Sequence, residues 1–358
     1  MNLALTYDDI QLIPSYSTIK SRQNIKLHTK LSRRYGLLQP LVASPMDTVC
    51  DGNMAISMAQ LGGVGVIHRF MSIEEQCEII SVVKHATSNK GVGSLPEKWG
   101  VMYDDWHTEI KQIPVVAAIG VQTEDRLRAV KLVEAGANVL VIDVAHGDHK
   151  NVIDMVKWCK EQATFEDVDI IAGNIATAEA ALRLEAAGAD GLRVGIGGGS
   201  LCTTRVKTGF GVPNVTAIAQ IQTVAQTPIM ADGGIRTSGD IAKALGIGAH
   251  CVMIGSLIAG TEEAPGTIIE KNGSLFKRYR GSASLETKTT HAQPIRNVEG
   301  ESTIIPFKGG VKYIITDLLD GVKSALSYAG AKDLESFNPE FFQITNAGQM
   351  EAKPHLLF

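Results

Sequence analysis

The chain has 358 residues, with 44% hydrophobic and 20% charged residues, 36 glycines, five cysteines and a formal net charge of −4. This hydrophobic content excludes a disordered chain, the few cysteines exclude a disulfide scaffold, and the slight acidity offers no basic surface to nucleic acid. No stretch approaches the roughly 20 apolar residues of a membrane span, and acidic residues come too early for a signal peptide, so we expect a cytoplasmic protein without membrane contact.

Eight short β-branched or apolar runs predict strands. They cover residues 41–44, 64–67, 115–119, 138–144, 169–173, 191–195, 228–231 and 251–255. Amphipathic patterns predict helices at 53–61, 73–84, 124–135, 151–162, 178–187, 215–226 and 239–245. This alternation predicts an α/β fold with parallel strands, and eight units favour a closed (β/α)8, or TIM, barrel. An open doubly wound sheet is the alternative, but polar or Gly-rich residues follow nearly every strand rather than one switch point.

Two stretches depart from this alternation. Residues 86–111 separate the second and third units, and their ~25 residues are too few for another domain. Residues 272–310 follow the eighth strand and are long, charged and rich in hydroxyl groups. Loops after barrel strands face the active site, so this stretch predicts an active-site flap, with a surface hairpin as the alternative. We therefore expect one barrel domain over residues 1–358, with extended terminal segments, this flap and no inserted regulatory domain.

The Gly-rich sequence GIGGGSLCTTR, at residues 195–205, follows the sixth predicted strand and is called the Cys loop below. Its glycines allow unusual φ angles and a close approach of backbone to a ligand, either an anion or a cation. Cys202 lies in this polar loop and is a candidate nucleophile, although a small buried residue is the alternative. The other four cysteines lie in apolar or helical settings, and no CxxC motif indicates zinc.

Gly-rich turns also follow the seventh and eighth strands, in ADGGIRTSGD (231–240) and MIGS (253–256). Phosphate sites of (β/α)8 barrels often form at this place, although tight strand–helix turns are the alternative. The candidates that can offer unhindered N–H groups are Gly233, Gly234, Gly255 and Ser256. Asp232 would repel a phosphate but suits a ribose diol, because a carboxylate accepts two hydroxyl hydrogen bonds.

Further polar residues end other strands, among them Asp143, His146 and Asn174. Their distribution suggests a ligand stretched across the barrel mouth. His146 is equally well explained as a structural histidine, and the same holds for His68 with Arg69. The glycines do not form a GxGxxG fingerprint, so a nicotinamide cofactor would be bound in another way.

Several motifs together are distinctive. They are LTYDDIQLIPSYSTIKSR (5–22), ASPMDTV (43–49), GGVGVIHRF (62–70), GIGGGSLCTTRVKTGFGVP (195–213), ADGGIRTSGDIAKAL (231–245) and VMIGSLIAGTEEAPG (252–266). This set resembles the IMP dehydrogenase/GMP reductase family over nearly the whole chain. The resemblance implies a (β/α)8 barrel, a purine nucleotide substrate, a nicotinamide cofactor and a homotetramer.

The resemblance also implies a chemistry with two variants. In both, the family's cysteine attacks C2 of the purine to give a thioimidate. The dehydrogenase passes hydride from IMP to NAD and hydrolyses the adduct to XMP, whereas the reductase expels ammonia from GMP and takes hydride from NADPH to give IMP. By motif, the nucleophile is Cys202, Thr204 transfers protons, and Glu299 in NVEG pairs with Thr204.

The same correspondence implies binding residues. Those for the substrate are Met46, Ser200, Asp232, Gly233, Gly234, Gly255, Ser256, Tyr279, Gly281, Ser282, Ala283, Arg296 and Gly300. Those for the cofactor are Arg69, Asp143, Ala145, Asn174, Ile196 and Gly197, with Ser327 and Tyr328 reaching it from a neighbouring subunit. A potassium ion is expected at Gly197, Gly199, Cys202 and Arg205.

Between the two activities, the sequence favours the reductase with NADPH. The regulatory insert of ~120 residues usual in dehydrogenases is missing between the second and third units. The 17 residues between Gly281 and Glu299 contain no Arg-Tyr pair, and Arg296 is their only arginine. The dehydrogenase with NAD stays the alternative, because the N-terminal third and NAGQMEAKPH (346–355) resemble dehydrogenases and Gly198 replaces the Pro usual in the Cys loop.

Overall fold

The computed structural model describes residues 3–88, 113–291 and 298–351. Ahead of the barrel, the chain forms β1 (Ile10–Leu12), β2 (Thr29–Lys30) and β3 (Gly36–Leu37), with 3₁₀ turns at Tyr7–Asp9 and Arg22–Asn24. Strands β2 and β3 pair antiparallel. These short elements belong to the extended N-terminal segment that the sequence predicts.

Eight parallel strands close into a barrel, which confirms the (β/α)8 prediction. They are β4 (Leu41–Ala43), β5 (Val64–Ile67), β6 (Val116–Ile119), β7 (Val139–Asp143), β8 (Asp169–Ile175), β9 (Gly191–Val194), β10 (Ile229–Asp232) and β11 (Cys251–Ile254). Neighbours along the chain are neighbours in the barrel, and β11 pairs with β4 to close it. Because the strands are parallel, their carboxyl ends all meet at one rim of the barrel.

Helices alternate with the barrel strands, and all of them except a short one at Thr204–Thr208, which begins at the cleft, cover the outside of the barrel. They are α1 (Gly52–Gln60), α2 (Ile73–Ser88), α3 (Thr123–Ala135), α4 (Lys150–Glu161), α5 (Ala178–Ala186), α6 (Thr204–Thr208), α7 (Asn214–Gln222) and α8 (Ser238–Gly246), with a 3₁₀ turn at Ala163–Phe165. The sequence missed α6, since five residues are too short to show an amphipathic period. None of the helices in the described ranges is long and apolar enough to cross a lipid bilayer.

Alternation along the strands separates two cores. Val139 and Val141 of β7 belong to a cluster inside the barrel, whereas Leu140 and Ile142 pack outward with the helices. Leu31, which follows β2, and Leu37 of β3 join the inner cluster. Successive side chains of a strand point to opposite faces, and here both faces are buried. The sequence of each strand is therefore a continuous apolar run.

The stretch after β11 forms the flap, residues 272–310, together with the preceding β12. Its elements are β12 (Ile269–Lys271), β13 (Ser274–Arg280), α9 (Leu285–Thr290) and β14 (Ser302–Pro306). The three strands pair antiparallel in chain order. The predicted flap is therefore built on a β-sheet, and the connection from β13 to β14 carries α9. Arg296 lies outside the described residues.

The C-terminal segment returns along the barrel. It contains α10 (Val311–Tyr328), β15 (Phe341–Gln343) and α11 (Asn346–Glu351), and β15 pairs antiparallel with β1. The extended terminal segments therefore meet each other as one small sheet.

Of the irregular stretch at 86–111, the first three residues end α2, and the remainder lies outside the described residues.

Lys277 of β13 anchors the flap to the barrel. Its side chain is buried, and its ammonium donates to the carbonyl oxygens of Thr261, at 3.0 Å, and of Ala264. We expect Lys277→Met to leave these acceptors unpaired and to destabilise the flap by about 2 kcal/mol. Amide hydrogen exchange would then accelerate in β13 and β14. The exposed Lys271→Met of β12 is the control, and equal exchange in the two variants would contradict this anchoring role.

Candidate active site

A cleft of about 500 Å³ opens at the carboxyl ends of the barrel strands, where active sites of this fold lie. The barrel contributes residues at and after the ends of several strands, and the flap covers one side. Barrel residues lining the cleft include Ser44, Met46, Arg69, Phe70, Asp143, Ala145, Asn174, Arg193, Gly195–Cys202, Thr204, Asp232 and Gly233. Flap residues lining it are Tyr279, Gly281–Ala283, Lys288, Glu299 and Gly300.

The three predicted catalytic residues come together in this cleft. The Cys202 thiol donates to Thr204 Oγ1 at 3.2 Å, and the Thr204 hydroxyl donates to Glu299 Oε2 at 2.7 Å. The Thr203 N–H donates to the Glu299 carbonyl at 2.9 Å, which holds the glutamate beside the Cys loop. A proton can therefore pass between the sulfur and the carboxylate through one hydroxyl group. Such a relay suits a thiol nucleophile with a general acid–base partner.

Backbone contacts bind the flap to the Cys loop. Gly300 forms isolated bridges with both Cys202 and Ser284. The Glu301 N–H donates to the Leu201 carbonyl at 3.0 Å, and the Gly281 N–H donates to the Glu301 carbonyl at 2.9 Å. A Cβ atom at Gly300 would lie only 3.0 Å from the Ser284 nitrogen, which explains a glycine at this crossing. The position of Glu299 thus follows from the two backbones.

A buried arginine balances the two carboxylates at the predicted ribose and cofactor positions. Arg193 of β9 donates Nε to Asp232 Oδ2 at 2.9 Å and pairs with Asp143 through its terminal nitrogen. Burial lowers the pKa of Arg193, but the two carboxylates more than offset this, so its pKa is raised. The Asn174 side-chain amide also donates to Asp232 Oδ2, at 2.7 Å. The sequence analysis missed Arg193, although a charged residue inside a buried strand was a usable signal.

The predicted phosphate residues gather at one end of the cleft. Ser200 Oγ lies 3.0 Å from the Tyr279 hydroxyl, and burial raises the pKa of Tyr279, so the phenol keeps its proton for an anionic ligand. A Cβ atom at Gly255 would lie 3.5 Å from the same hydroxyl and 3.4 Å from Met46 Sδ. Gly234, Gly255 and Ser256 are not among the residues that line the cleft, so their contact with a phosphate stays a prediction.

The predicted cofactor residues divide into two groups. Arg69, Asp143, Ala145, Asn174, Ile196 and Gly197 line the cleft. Ser327 and Tyr328, at the end of α10, do not, and Tyr328 is exposed beside a separate apolar groove. A contribution of these two residues to a neighbouring subunit stays a prediction. His146 is exposed and His68 is buried, and neither lines the cleft.

The expected potassium site consists of carbonyl groups in the Cys loop. Gly197 has a φ of +76°, and the Gly199 carbonyl accepts from the Cys202 N–H at 3.0 Å. The Arg205 guanidinium donates to the carbonyls of Ile196, at 3.1 Å, and Val212, at 2.9 Å. Its side chain therefore supports the loop, and only its carbonyl is suited to a cation. In the described ranges, no group of three or more His, Cys, Asp or Glu could hold a metal.

A second ionic cluster, which the sequence analysis missed, connects the flap to the loop after β4. Asp47, next to Met46, accepts from Arg280 Nη2 at 2.8 Å and lies 2.7 Å from His291 Nε2. The His291 ring also packs on Phe70, with 5.9 Å between ring centroids. Since Phe70 lines the cleft, this cluster connects the predicted purine contact Met46 with the end of α9. Tertiary packing alone brings these distant positions together.

His68 makes the stability of this region depend on pH. Burial lowers the pKa of its ring to about 4, from an ordinary value of 6.5, and its Nδ1 accepts from the Phe70 N–H at 3.1 Å. Between pH 6.5 and about pH 4, the unfolded chain binds a proton at His68 that the folded chain does not bind. The free energy of unfolding therefore falls as the pH falls through this range. The loss reaches about 3 kcal/mol.

We expect His68→Asn to flatten this dependence, because asparagine keeps an acceptor but does not titrate. Urea denaturation at pH values on either side of the window measures the effect. His85→Asn, at an exposed position of α2, is the matched control. An unchanged pH dependence in the His68 variant would show that another group is responsible.

Comparison with known proteins agrees with this geometry. The family model for the IMP dehydrogenase/GMP reductase domain matches residues 4–355. An inosine-5'-monophosphate dehydrogenase of Nitrosopumilus maritimus is 36% identical over 98% of both chains, and a GMP reductase of Leishmania donovani is 34% identical over 98% of this chain and 96% of its own. The crystal structure of a GMP reductase variant from Trypanosoma brucei, in complex with guanosine 5'-monophosphate, has a TM-score of 0.89 at 33% identity and covers 100% of this chain and 99% of that chain.

Chain length does not separate the two activities among these relatives. The Leishmania donovani GMP reductase aligns over 474 positions, against the 358 residues of this chain, so it carries additional segments. An inosine-5'-monophosphate dehydrogenase of Cryptosporidium parvum, 37% identical over 98% of this chain and 94% of its own, aligns over only 390 positions. The missing insert therefore gives no support to either activity, and the assignment depends on the site.

Proposed function

This chain belongs to the IMP dehydrogenase/GMP reductase family, and we propose that it is a GMP reductase that converts GMP to IMP and ammonia with NADPH. The observation that carries the proposal is the relay from Cys202 through Thr204 to Glu299. A group that returns a proton to a departing amine is what deamination requires. The flap sequence between Gly281 and Glu299, without an Arg-Tyr pair, favours this activity over water activation.

The proposed chemistry uses the chain's own residues in order. Cys202 Sγ forms a bond to C2 of the purine, and its proton passes through Thr204 to Glu299. Glu299 returns the proton to the C2 amino group, whose bond to carbon breaks with loss of ammonia and formation of a thioimidate. When bound, NADPH supplies a hydride to C2. Loss of the Cys202 thiolate then gives IMP, and GMP, NADPH and two protons yield IMP, ammonium and NADP⁺.

The cleft residues divide between the two ligands in this proposal. Ser200, Tyr279 and the turn at Gly233–Gly234 hold the phosphate of GMP, and Asp232 holds its ribose. Met46, Gly281–Ala283 and the turn from Arg296 to Gly300 hold the base, and Gly255 and Ser256 support the phosphate end. Arg69, Asp143, Ala145, Asn174, Ile196 and Gly197 face the nicotinamide side. Arg193 suits this division, because it engages one carboxylate oxygen of Asp143 and one of Asp232 and offsets the charge of both.

Further parts of the proposal concern assembly. The carbonyls of Gly197, Gly199, Cys202 and Arg205 are the proposed potassium ligands. The proposed assembly is a cytoplasmic homotetramer, with Ser327 and Tyr328 directed at the cofactor of the next subunit. Each subunit is one barrel domain with residues 272–310 as the active-site flap.

The second candidate is IMP dehydrogenase, the oxidation of IMP to XMP with NAD. It is supported by the dehydrogenases among the relatives, at 36% and 37% identity. In this reaction the thioimidate on Cys202 is hydrolysed, and Arg296 is the flap arginine available to activate water. Loss of XMP formation in Arg296→Ala would support that role.

A paired assay on one preparation separates the two candidates. With GMP and NADPH we expect loss of NADPH absorbance and release of ammonia in equal amounts. With IMP and NAD we expect no XMP. The reverse pattern would overturn the reductase assignment in favour of the dehydrogenase, and GMP with NADH measures the cofactor preference.

Two substitutions test the relay. Cys202→Ala removes the nucleophile and should abolish turnover, whereas Cys77→Ser, on α2 outside the cleft, is the matched control. Glu299→Gln keeps a hydrogen-bond acceptor for Thr204 but cannot carry the proton. We expect it to lower kcat by about 10²–10⁴-fold with a small change in KM for GMP. Full activity of either cleft variant would contradict the relay.

A further inference from the structure

Asn214 lies behind the cleft at a point where two of its loops meet. It is the first residue of α7, it is buried, and it does not line the cleft. Its side-chain nitrogen donates to two successive carbonyls, of Asp232 at 3.0 Å and of Gly233 at 2.6 Å. One amide group therefore holds both peptide units of the turn that follows β10.

These two hydrogen bonds fix the direction of two N–H groups. In a trans peptide the N–H points opposite to the carbonyl of the same unit. Because both carbonyls point toward Asn214, the N–H groups of Gly233 and Gly234 point away from it. The two glycines have φ angles of +90° and +77°, a conformation open to glycine but rare for other residues. Successive N–H groups that point the same way form an anion-binding nest.

The same side chain also lies close to the Cys loop. A Cβ atom at Gly198 would lie 3.1 Å from Asn214 Nδ2, and a Cβ atom at Gly233 would lie 2.9 Å from the Gly198 carbonyl carbon. On the other side of the turn, Tyr7 packs against Gly234, with its ring 3.4 Å from the position of a Cβ atom. Asn214 therefore connects the turn after β10 with the loop that carries Cys202.

We propose that Asn214 is a positioning residue that aims the N–H groups of Gly233 and Gly234 at the phosphate of the substrate and couples them to the Cys202 loop. This inference rests on the proposed function, in which a purine nucleotide occupies the cleft. It predicts that Asn214 contributes to recognition of the phosphate but not of the nucleoside. A residue with a merely structural role would affect both equally.

The test compares binding of GMP and of guanosine, which lacks the phosphate. For Asn214→Ala we expect the Kd for GMP to rise by about ten-fold, the value for loss of ~1.4 kcal/mol, with the Kd for guanosine unchanged. Asn214→Gln keeps the donor and should restore most of the affinity for GMP. Asn138→Ala is the matched control, because Asn138 Oδ1 accepts from the Val115 N–H at 3.0 Å, away from the cleft.

A second readout guards against an Asn214→Ala variant that folds poorly. The measurement is the rate at which iodoacetamide alkylates Cys202, followed on the Cys202 peptide by mass spectrometry. Added inorganic phosphate should change this rate in the unmodified protein and in Asn214→Gln. An equal loss of affinity for GMP and guanosine, or no loss for either, would overturn the inference.

The proposed function is judged separately by the unmodified protein. If it turns over IMP and NAD instead of GMP and NADPH, the same ratio is measured with IMP and inosine. An altered nucleotide-to-nucleoside ratio supports the role of Asn214 under either activity.

Discussion

The crossing of the flap and the Cys loop at Gly300 is the contact on which the rest of the site depends. Its backbone bridges Cys202 on one side and Ser284 on the other. Because Glu299 directly precedes this crossing, its carboxylate can reach Thr204 at 2.7 Å, although the two residues are 95 positions apart in the chain. A shift of the flap by a single bond length would break this hydrogen bond, so the position of the flap decides whether the proposed relay can form.

A second constraint at the barrel mouth is the pairing of charged side chains. Arg193 occupies the floor between Asp143 and Asp232, whose carboxylates belong to two strands that are not neighbours in the barrel. Two half-buried carboxylates in one cleft repel each other, and the guanidinium between them offsets this repulsion. The guanidinium keeps both available as acceptors for hydroxyl groups.

The glycines of the chain have a matching explanation. At Gly195, with a φ of +142°, a Cβ atom would lie 1.9 Å from the Asp232 carbonyl oxygen, so no other residue fits without movement of the backbone. Gly233 and Gly300 are constrained in a similar way by the Cys loop and by Ser284. At these three positions, therefore, glycine reflects the close approach of backbone segments around the cleft rather than loop flexibility.

The sequence by itself determined the fold and much of the site. Eight apolar runs alternating with helical patterns predicted a barrel, because each strand and helix obeys its own local periodicity. The motifs named Cys202, Thr204 and Glu299 and most of the cleft lining. The sequence could not reveal α6, the role of Asn214 or the Asp47–His291 contact, since α6 is too short for a period and the others depend on segments that are distant along the chain. Arg193 did leave a signal, as a charge inside a buried strand, but its pairing with Asp143 and Asp232 is visible only in the fold. Only the closed barrel brings these segments to one rim, and there backbone hydrogen bonds and charge pairing decide which side chains meet.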